Sequence, residues 1–355
     1  MKEKIISFSF VGSLFLFFIL GFVLKDREVS SYERRKLMTR ETLNKDFFGN
    51  LDTYLTDQFP FRDELISIHT VFERYGLGNK DSNDVYIKNG YVVEKNYPLN
   101  DKSVKDFIDK INYIQEEYLK NSNVFYTIIP DKAYFLSSKN YLTIDYSQLL
   151  KTLSKNIKMD YIDITSLLTL EDYYKTDIHI KQESYPKIIK EFSKYFSFPY
   201  QDYKYQEYHY SNFFGASYSK VPSFTKPDKL TYLSNELLDN ISVKHLEFGE
   251  KPIYDKEQLD SVDSYNLFLS GPSAFIEIEN KKATSDKELI IFRDSFGSSF
   301  TPLLIPYYQK ITLIDLRYMD LSIVPQYVTF DNEDVLFAYS TLIVNNSSIL
   351  KVRVK

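Results

Sequence analysis

The chain has 355 residues, a formal net charge of -5, no cysteine and four histidines. Disulfides, thiolate zinc sites and cysteine nucleophiles are thereby excluded, and four scattered histidines give no basis for a His-rich metal centre, so neither metal nor cofactor is expected. The acidic balance argues against a nucleic-acid partner. Hydrophobic residues at 43% and charged residues at 26% suit a chain that buries a sizeable core. The 31 tyrosines and 28 phenylalanines, with no tryptophan, fit either a sugar-stacking surface or a compositional drift; drift is the simpler explanation.

Residues Ile5–Leu24 form an uninterrupted apolar stretch behind Lys2 and Lys4. At about 1.5 Å per residue such a helix crosses a hydrocarbon core of roughly 30 Å. It runs into Leu24-Lys25-Asp26-Arg27 without an A-x-A cleavage pattern, so an uncleaved single-pass anchor at residues 1–24 is expected. The amino-terminal lysines favour a cytoplasmic start and an extracytoplasmic remainder, although Lys25 and Arg27 reduce the asymmetry. Residues 25–80 read as a juxtamembrane stalk or helical lead-in, interrupted at Pro60. Leu65, Ile68, Val71 and Phe72 recur there at helical spacing, with His69 expected to pack on the same face.

The main domain is expected at 81–355. Val85–Glu94 reads as a hairpin, with Asn89-Gly90 suited to a type I′ turn. Helix Ser103–Lys120, strand Val124–Ile129, helix Tyr146–Lys155, strand Tyr161–Ile164 and helix Gln182–Tyr195 then alternate. Such alternation predicts βαβ units and a mostly parallel sheet. From about 198 to 287 the rhythm stops, and short strands and loops are expected as an insertion. It resumes with strand Leu289–Phe292, a helix from about Ser298, and strands Ile311–Ile314 and Val335–Tyr339.

Two segments carry candidate chemistry. In Tyr174-Lys175-Thr176-Asp177-Ile178-His179, the spacing of two puts Asp177 and His179 on one side of an extended segment. A carboxylate so placed fixes the tautomer of an imidazole that serves as a general base; chance occurrence in a loop is the plainer alternative. In Leu289-Ile290-Ile291-Phe292-Arg293-Asp294-Ser295-Phe296-Gly297, an apolar strand runs through a short turn into a helix. Ligands of open α/β sheets bind at the carboxyl ends of strands, where Ser295 would sit near helix-start N–H groups able to stabilise an oxyanion. A purely structural helix cap by Asp294 or Ser295 is the alternative. Arg293 and Asp294 are candidate lining residues. Gly215-Ala216-Ser217 offers a rival serine without a preceding apolar strand, so Gly215 and Ser217 are kept as cleft-lining candidates. His209 and His245 lack carboxylates at useful spacing, and Asp163 reads as a cap for the next turn.

In their order along the chain, these motifs resemble the DHHW proteins and alginate O-acetyltransferase-type enzymes of the SGNH-hydrolase-like superfamily. The resemblance includes the single anchor, Glu33-Arg34-Arg35-Lys36-Leu37 (similar to E-N-R-x-L), Asp57-Gln58-Phe59-Pro60-Phe61-Arg62-Asp63, the Asp-x-His segment, Arg293-Asp294-Ser295-Phe296 and Asp334-Val335-Leu336. It implies an SGNH-hydrolase-like, flavodoxin-like three-layer α/β domain, with Ser295 as nucleophile, His179 as general base and Asp177 as its orienting carboxylate. It also implies O-acetylation of an exported cell-surface polysaccharide, beside a membrane-bound O-acyltransferase that supplies acetyl groups and a polysaccharide synthase or export complex. Ile178 and Ile180 replace the His and Trp of the family's Asp-His-His-Trp motif, which leaves open any acceptor contact the Trp would make. An esterase using the same residues and a catalytically silent anchored scaffold are the alternatives.

Overall fold

The apolar runs of the chain pair into an eight-stranded sheet. The structure is a computed structural model describing residues 2–30, 33–43, 46–79, 81–82, 84–136, 141–221 and 226–354. Numbered in chain order, the sheet strands are β1 (Asn123–Ile129), β2 (Asp160–Tyr161), β3 (Ser242–His245), β4 (Gly249–Pro252), β5 (Phe275–Glu279), β6 (Glu288–Arg293), β7 (Lys310–Ile314) and β8 (Asp334–Ser340). Their order across the sheet is β4-β3-β5-β7-β6-β8-β1-β2. The strands from β7 to β2 are parallel; β5, β3 and β4 extend the sheet antiparallel beyond β7. Although last in the chain, β8 lies between β6 and β1, so the ends of β1, β8 and β6 open together on one rim.

Strand alternation divides the core into two layers. Leu289 and Ile291 of β6, with Leu336 and Ala338 of β8, face Ile188, Phe192 and Phe196 of the helix Pro186–Phe196. Ile290, Phe292, Val335 and Phe337 face the opposite way, toward Val104, Phe107 and Ile111 of Asp101–Tyr118 and Leu149 and Leu153 of Tyr146–Asn156. The result is a three-layer, mostly parallel α/β domain. The hairpin Val85–Lys88/Tyr91–Glu94 turns at Asn89 (φ 51°) and Gly90 (φ 81°), the two positive φ values of a type I′ turn.

Some elements depart from expectation. The second strand pairs only over Asp160–Tyr161, because Asp163 accepts from the Thr165 N–H (2.8 Å) and bends the chain into a turn. The helix after Ser295 is a single turn, Gly297–Phe300, followed by 3-10 geometry over Thr301–Tyr307, where Pro302 and Pro306 withhold N–H donors. The segment 198–287 supplies β3, β4 and β5 of the central sheet as well as the hairpin Gln206–Phe213/Asp228–Ser234. His69 does not pack; its side chain is exposed.

At the amino terminus, helix α1 (Lys2–Val23) contains a span, Lys4–Gly21, long and apolar enough to cross a membrane, and none of that window is buried. It fits a single-pass anchor. Helices α2 (Phe47–Asp57) and α3 (Arg62–Val71) follow, broken around Pro60 as expected. The lead-in is tied to itself and to the main domain. Arg35 pairs with both oxygens of the buried Asp57 (3.0 and 2.5 Å), Arg62 with Glu33 (2.7 Å) and Arg27 with Asp63 (2.7 Å). Gln58 donates to the carbonyls of Arg27 and Met38, and Arg34 forms an ion pair with Asp263. The two short lead-in motifs are thus the two halves of one ion-pair network.

Burial pushes the Asp57 carboxyl upward, but the bonds from Arg35 and the Met38 N–H, with Arg62 nearby, outweigh it and hold the group below its usual range. Its stabilisation is therefore complete above the unfolded carboxylate pKa of about 4 and is lost as pH falls through the folded value. Arg35→Ala, which strands a buried carboxylate, is expected to cost about 2 kcal/mol in chemical denaturation at neutral pH. Asp57→Asn is expected to flatten the loss of stability as pH falls below the unfolded carboxylate pKa of about 4.

Candidate functional site

Strand β6 ends at Arg293, and the chain turns sharply at Asp294 and Ser295. Asp294 makes this turn rigid: one carboxylate oxygen accepts from the Phe296 N–H (3.0 Å) and the other from the Ser340 N–H at the end of β8 (2.8 Å). Ser295 is left half-buried on the rim while its neighbours are buried. Gly297 lies so close beneath that an added Cβ would stand 2.9 Å from Cβ of Arg293. Arg293 is itself buried under the turn and donates to the Asp294 carbonyl (3.3 Å) and Ser298 Oγ (3.1 Å).

The Asp-x-His segment meets this turn from a loop closed by a Tyr173–Ile180 bridge. The segment is bent rather than extended. One oxygen of Asp177 accepts both the His179 N–H (2.9 Å) and the His179 ring Nδ1 (2.5 Å), so backbone and side chain are held by a single carboxylate. His179 Nε2 lies 2.8 Å from Ser295 Oγ. With Asp177 ionised, Nδ1 must carry the ring proton, which leaves Nε2 as acceptor toward the serine hydroxyl. Burial acts to raise the Asp177 carboxyl, yet the imidazole, the Ala216 N–H (2.7 Å) and Arg34 outweigh it and hold the group well below the ordinary carboxylate range.

Residues that do not stand out in the sequence motifs complete the support. The ring of Tyr265 stacks on the His179 imidazole at 3.8 Å and 7°, and its hydroxyl donates to Ser299 Oγ (2.8 Å). In a chain so rich in tyrosine nothing marks this one. Lys132 is buried and its Nζ donates to the carbonyls of Tyr174 (3.3 Å), Lys175 (3.2 Å) and Asp177 (2.8 Å). Burial pushes the Lys132 ammonium down to about 8 despite the carboxylates of Asp177 and Asp228. Its position directly after the apolar β1 was the available signal. Asp228 takes the N–H groups of Lys175 (3.0 Å) and Thr176 (2.7 Å), fixing the same loop from the other side.

Of the lining candidates, Gly215 stands behind Asp177, where a Cβ would come within 2.1 Å of the Asp177 Cβ. Ser217 is fully buried and its Oγ donates to Glu94 (3.2 Å). Arg293 lies beneath the serine turn and Asp294 is part of it. Ile180 belongs to the hydrophobic core and Ile178 packs against it. The N–H groups of Phe296, Gly297 and Ser298 are taken up within the turn, by Asp294 Oδ1, the Asp294 carbonyl and the Ser295 carbonyl. His209 lies 3.7 Å from Glu207, and His245 is buried with Nε2 at 2.8 Å from the Leu269 carbonyl. Among the described residues no group of His, Asp or Glu is placed to hold a metal ion.

A serine on the rim of a mostly parallel sheet, bonded to an Asp-fixed histidine, defines an α/β protein of SGNH-like architecture. The fold is shared with a DHHW family protein from Eubacterium siraeum (20% identity, TM-score 0.60, covering 76% of this chain and 96% of that one). It is shared equally with Bacillus cereus PatB1 carrying a sulfonyl adduct (17% identity, TM-score 0.60, covering 73% and 95%) and with PatB1 in a second structure (18%, TM-score 0.58). No protein-family model matches the sequence, and no curated protein does.

Gly215→Ala provides a sharp test of the Asp177 seat. Its added methyl displaces the carboxylate, so Ser295 reactivity toward an acylating reagent is expected to fall on the order of 10²-fold while the circular dichroism spectrum stays that of the parent. Lys132→Met should produce a loss of similar order through the same loop, again about 10²-fold, together with a lower melting temperature.

Proposed function

We propose that the protein is an extracytoplasmic O-acetyltransferase that acetylates an exported cell-surface polysaccharide through an acetyl-serine intermediate. The observation that carries the reading is the continuous hydrogen-bonded chain Ser295 Oγ–His179 Nε2, His179 Nδ1–Asp177 Oδ1. The fold shared with the DHHW protein and PatB1, and the order of the lead-in motifs, support it.

In the first half-reaction, Ser295 Oγ attacks the acetyl carbonyl as its proton passes to His179 Nε2. Asp177 holds the imidazole in its reactive tautomer and stabilises the imidazolium without taking the proton. The Ser295 backbone N–H is the donor assigned to the developing oxyanion, since the next N–H groups are already engaged. Collapse expels the donor's leaving group, which takes the proton from His179. In the second half, a sugar hydroxyl gives its proton to His179 and attacks the acetyl-serine carbonyl; Ser295 leaves and regains its proton. No cofactor enters this sequence. A membrane-bound O-acyltransferase would supply the acetyl group, next to a polysaccharide synthase or export complex, with α1 holding the domain at the membrane. Water in place of the sugar would give an esterase by the same steps.

Since PatB1 carries a sulfonyl adduct, an aryl sulfonyl fluoride is a suitable probe. A single adduct on Ser295 is expected by intact mass, absent from Ser295→Ala. Asp177→Asn is expected to slow acetyl transfer from an activated ester by about 10⁴-fold with little change in KM. Labelling that persists in Ser295→Ala removes the nucleophile assignment. Acetyl groups released only to water, whatever oligosaccharide is offered, would replace transferase by esterase.

A further inference from the structure

Helices α2 and α3 carry their polarity inside out. Their buried positions include Asp57, Asp63 and Ser67, whereas Leu55 (47% exposed), Phe59 (41%), Leu65 (41%), Ile68 (54%) and Phe72 (58%) face outward. Leu65, Ile68 and Phe72 fall on a single stripe at helical spacing, and Phe61 before the first turn and Tyr75 beyond the last are exposed as well. Glu64 and His69 flank that stripe on either side, and Asp63 and Ser67 point the opposite way. The buried acids are paired with arginine, Asp57 with Arg35 and Asp63 with Arg27. An apolar groove of about 570 Å³, lined by Leu55, Phe59, Leu65 and Ile66 among others, runs along the same face.

This face is continuous with α1. The ring of Phe17 stacks on Phe59 at 5.3 Å and 20°. Arg40 donates to the carbonyls of Gly21 (3.3 Å) and Leu24 (3.1 Å) at the end of α1, and its Nε bonds the Tyr54 hydroxyl of α2 (2.9 Å). Phe17 precedes the end of α1 at Val23 by six residues, which is about 9 Å along the axis. A side chain stacked there sits at the depth of roughly 5–10 Å that interfacial helices reach below the headgroups.

We infer that α2 and α3 lie within the outer interface of the lipid bilayer beside α1, with Phe59, Leu65, Ile68 and Phe72 among the acyl chains. The inference rests on reading α1 as a membrane anchor. Lipid is the occupant because the face shares the level of α1 itself and presents an apolar stripe, with Asp57 and Asp63 turned inward beneath it. The consequence is a domain seated on the membrane at a fixed height and tilt rather than tethered by a stalk.

The absence of tryptophan from the chain makes the test clean. The 355-residue chain is reconstituted in nanodiscs with lipids brominated along their acyl chains, carrying one introduced probe at a time. The substitutions are Ile68→Trp and Phe72→Trp on the stripe, Phe15→Trp in α1, and Tyr318→Trp on an exposed site of the main domain. Blue-shifted emission and quenching of about twofold or more are expected for the first three, and none for Tyr318→Trp. Quenching at Phe15→Trp without quenching at Ile68→Trp and Phe72→Trp overturns the inference and leaves the anchor standing. Blue-shifted but unquenched stripe probes would overturn it in favour of a protein partner. Failure to quench Phe15→Trp would overturn the anchor, and the inference with it.

Discussion

The Asp177 carboxylate is the group on which the rest of the site depends. It is almost fully buried, and every one of its contacts does positional work: one oxygen holds the His179 backbone and ring, the other takes the Ala216 N–H. A charge in that position is unstable unless it is fully paired. The surroundings meet that demand with an imidazole, a backbone donor and the distant guanidinium of Arg34, which together outweigh burial. The demand also explains Gly215, because no side chain fits where the loop approaches Asp177.

The same loop is stabilised from three directions by elements far apart in sequence. Lys132 follows β1, Asp228 begins a strand of the outer hairpin, and Tyr265 comes from a short turn between β4 and β5. The serine turn, by contrast, is nearly self-contained, since Asp294 closes it and ties it to β8. The two halves differ in what could displace them. The histidine side rests on contacts from many distant positions, and the serine side mainly on Asp294, Gly297 and the end of β8.

This difference also governs what could be read from the sequence. Ser295 was legible because an apolar strand of period two runs straight into its turn, and Asp177 and His179 because a local spacing of two pointed to a pair. The spacing brings the pair together by another geometry than an extended segment, for the chain bends through an Asp177–His179 backbone bond. Lys132, Asp228 and Tyr265 were not legible, because each acts across the fold and belongs to a residue type abundant throughout the chain. The place of β3, β4 and β5 in the central sheet was hidden for another reason. They are short and lie on the antiparallel side of the sheet, so no βαβ rhythm announces them.

The lead-in shows the limit of hydrophobic periodicity more clearly. Leu65, Ile68 and Phe72 recur at helical spacing, and the usual meaning of that pattern is a face turned to the core. Here the spacing is right and the direction is opposite, because the ion pairs Arg35–Asp57, Arg27–Asp63 and Arg62–Glu33 occupy the inside. Periodicity reports that one face of a helix avoids water; it does not report what that face meets instead. The acids buried beneath α2 and α3 supply the missing direction, since a carboxylate turned inward onto arginine leaves the apolar stripe outward. The short charged motifs at Glu33–Leu37 and Asp57–Asp63 therefore set how the domain is presented, in the same way that Asp177 sets how His179 is presented to Ser295.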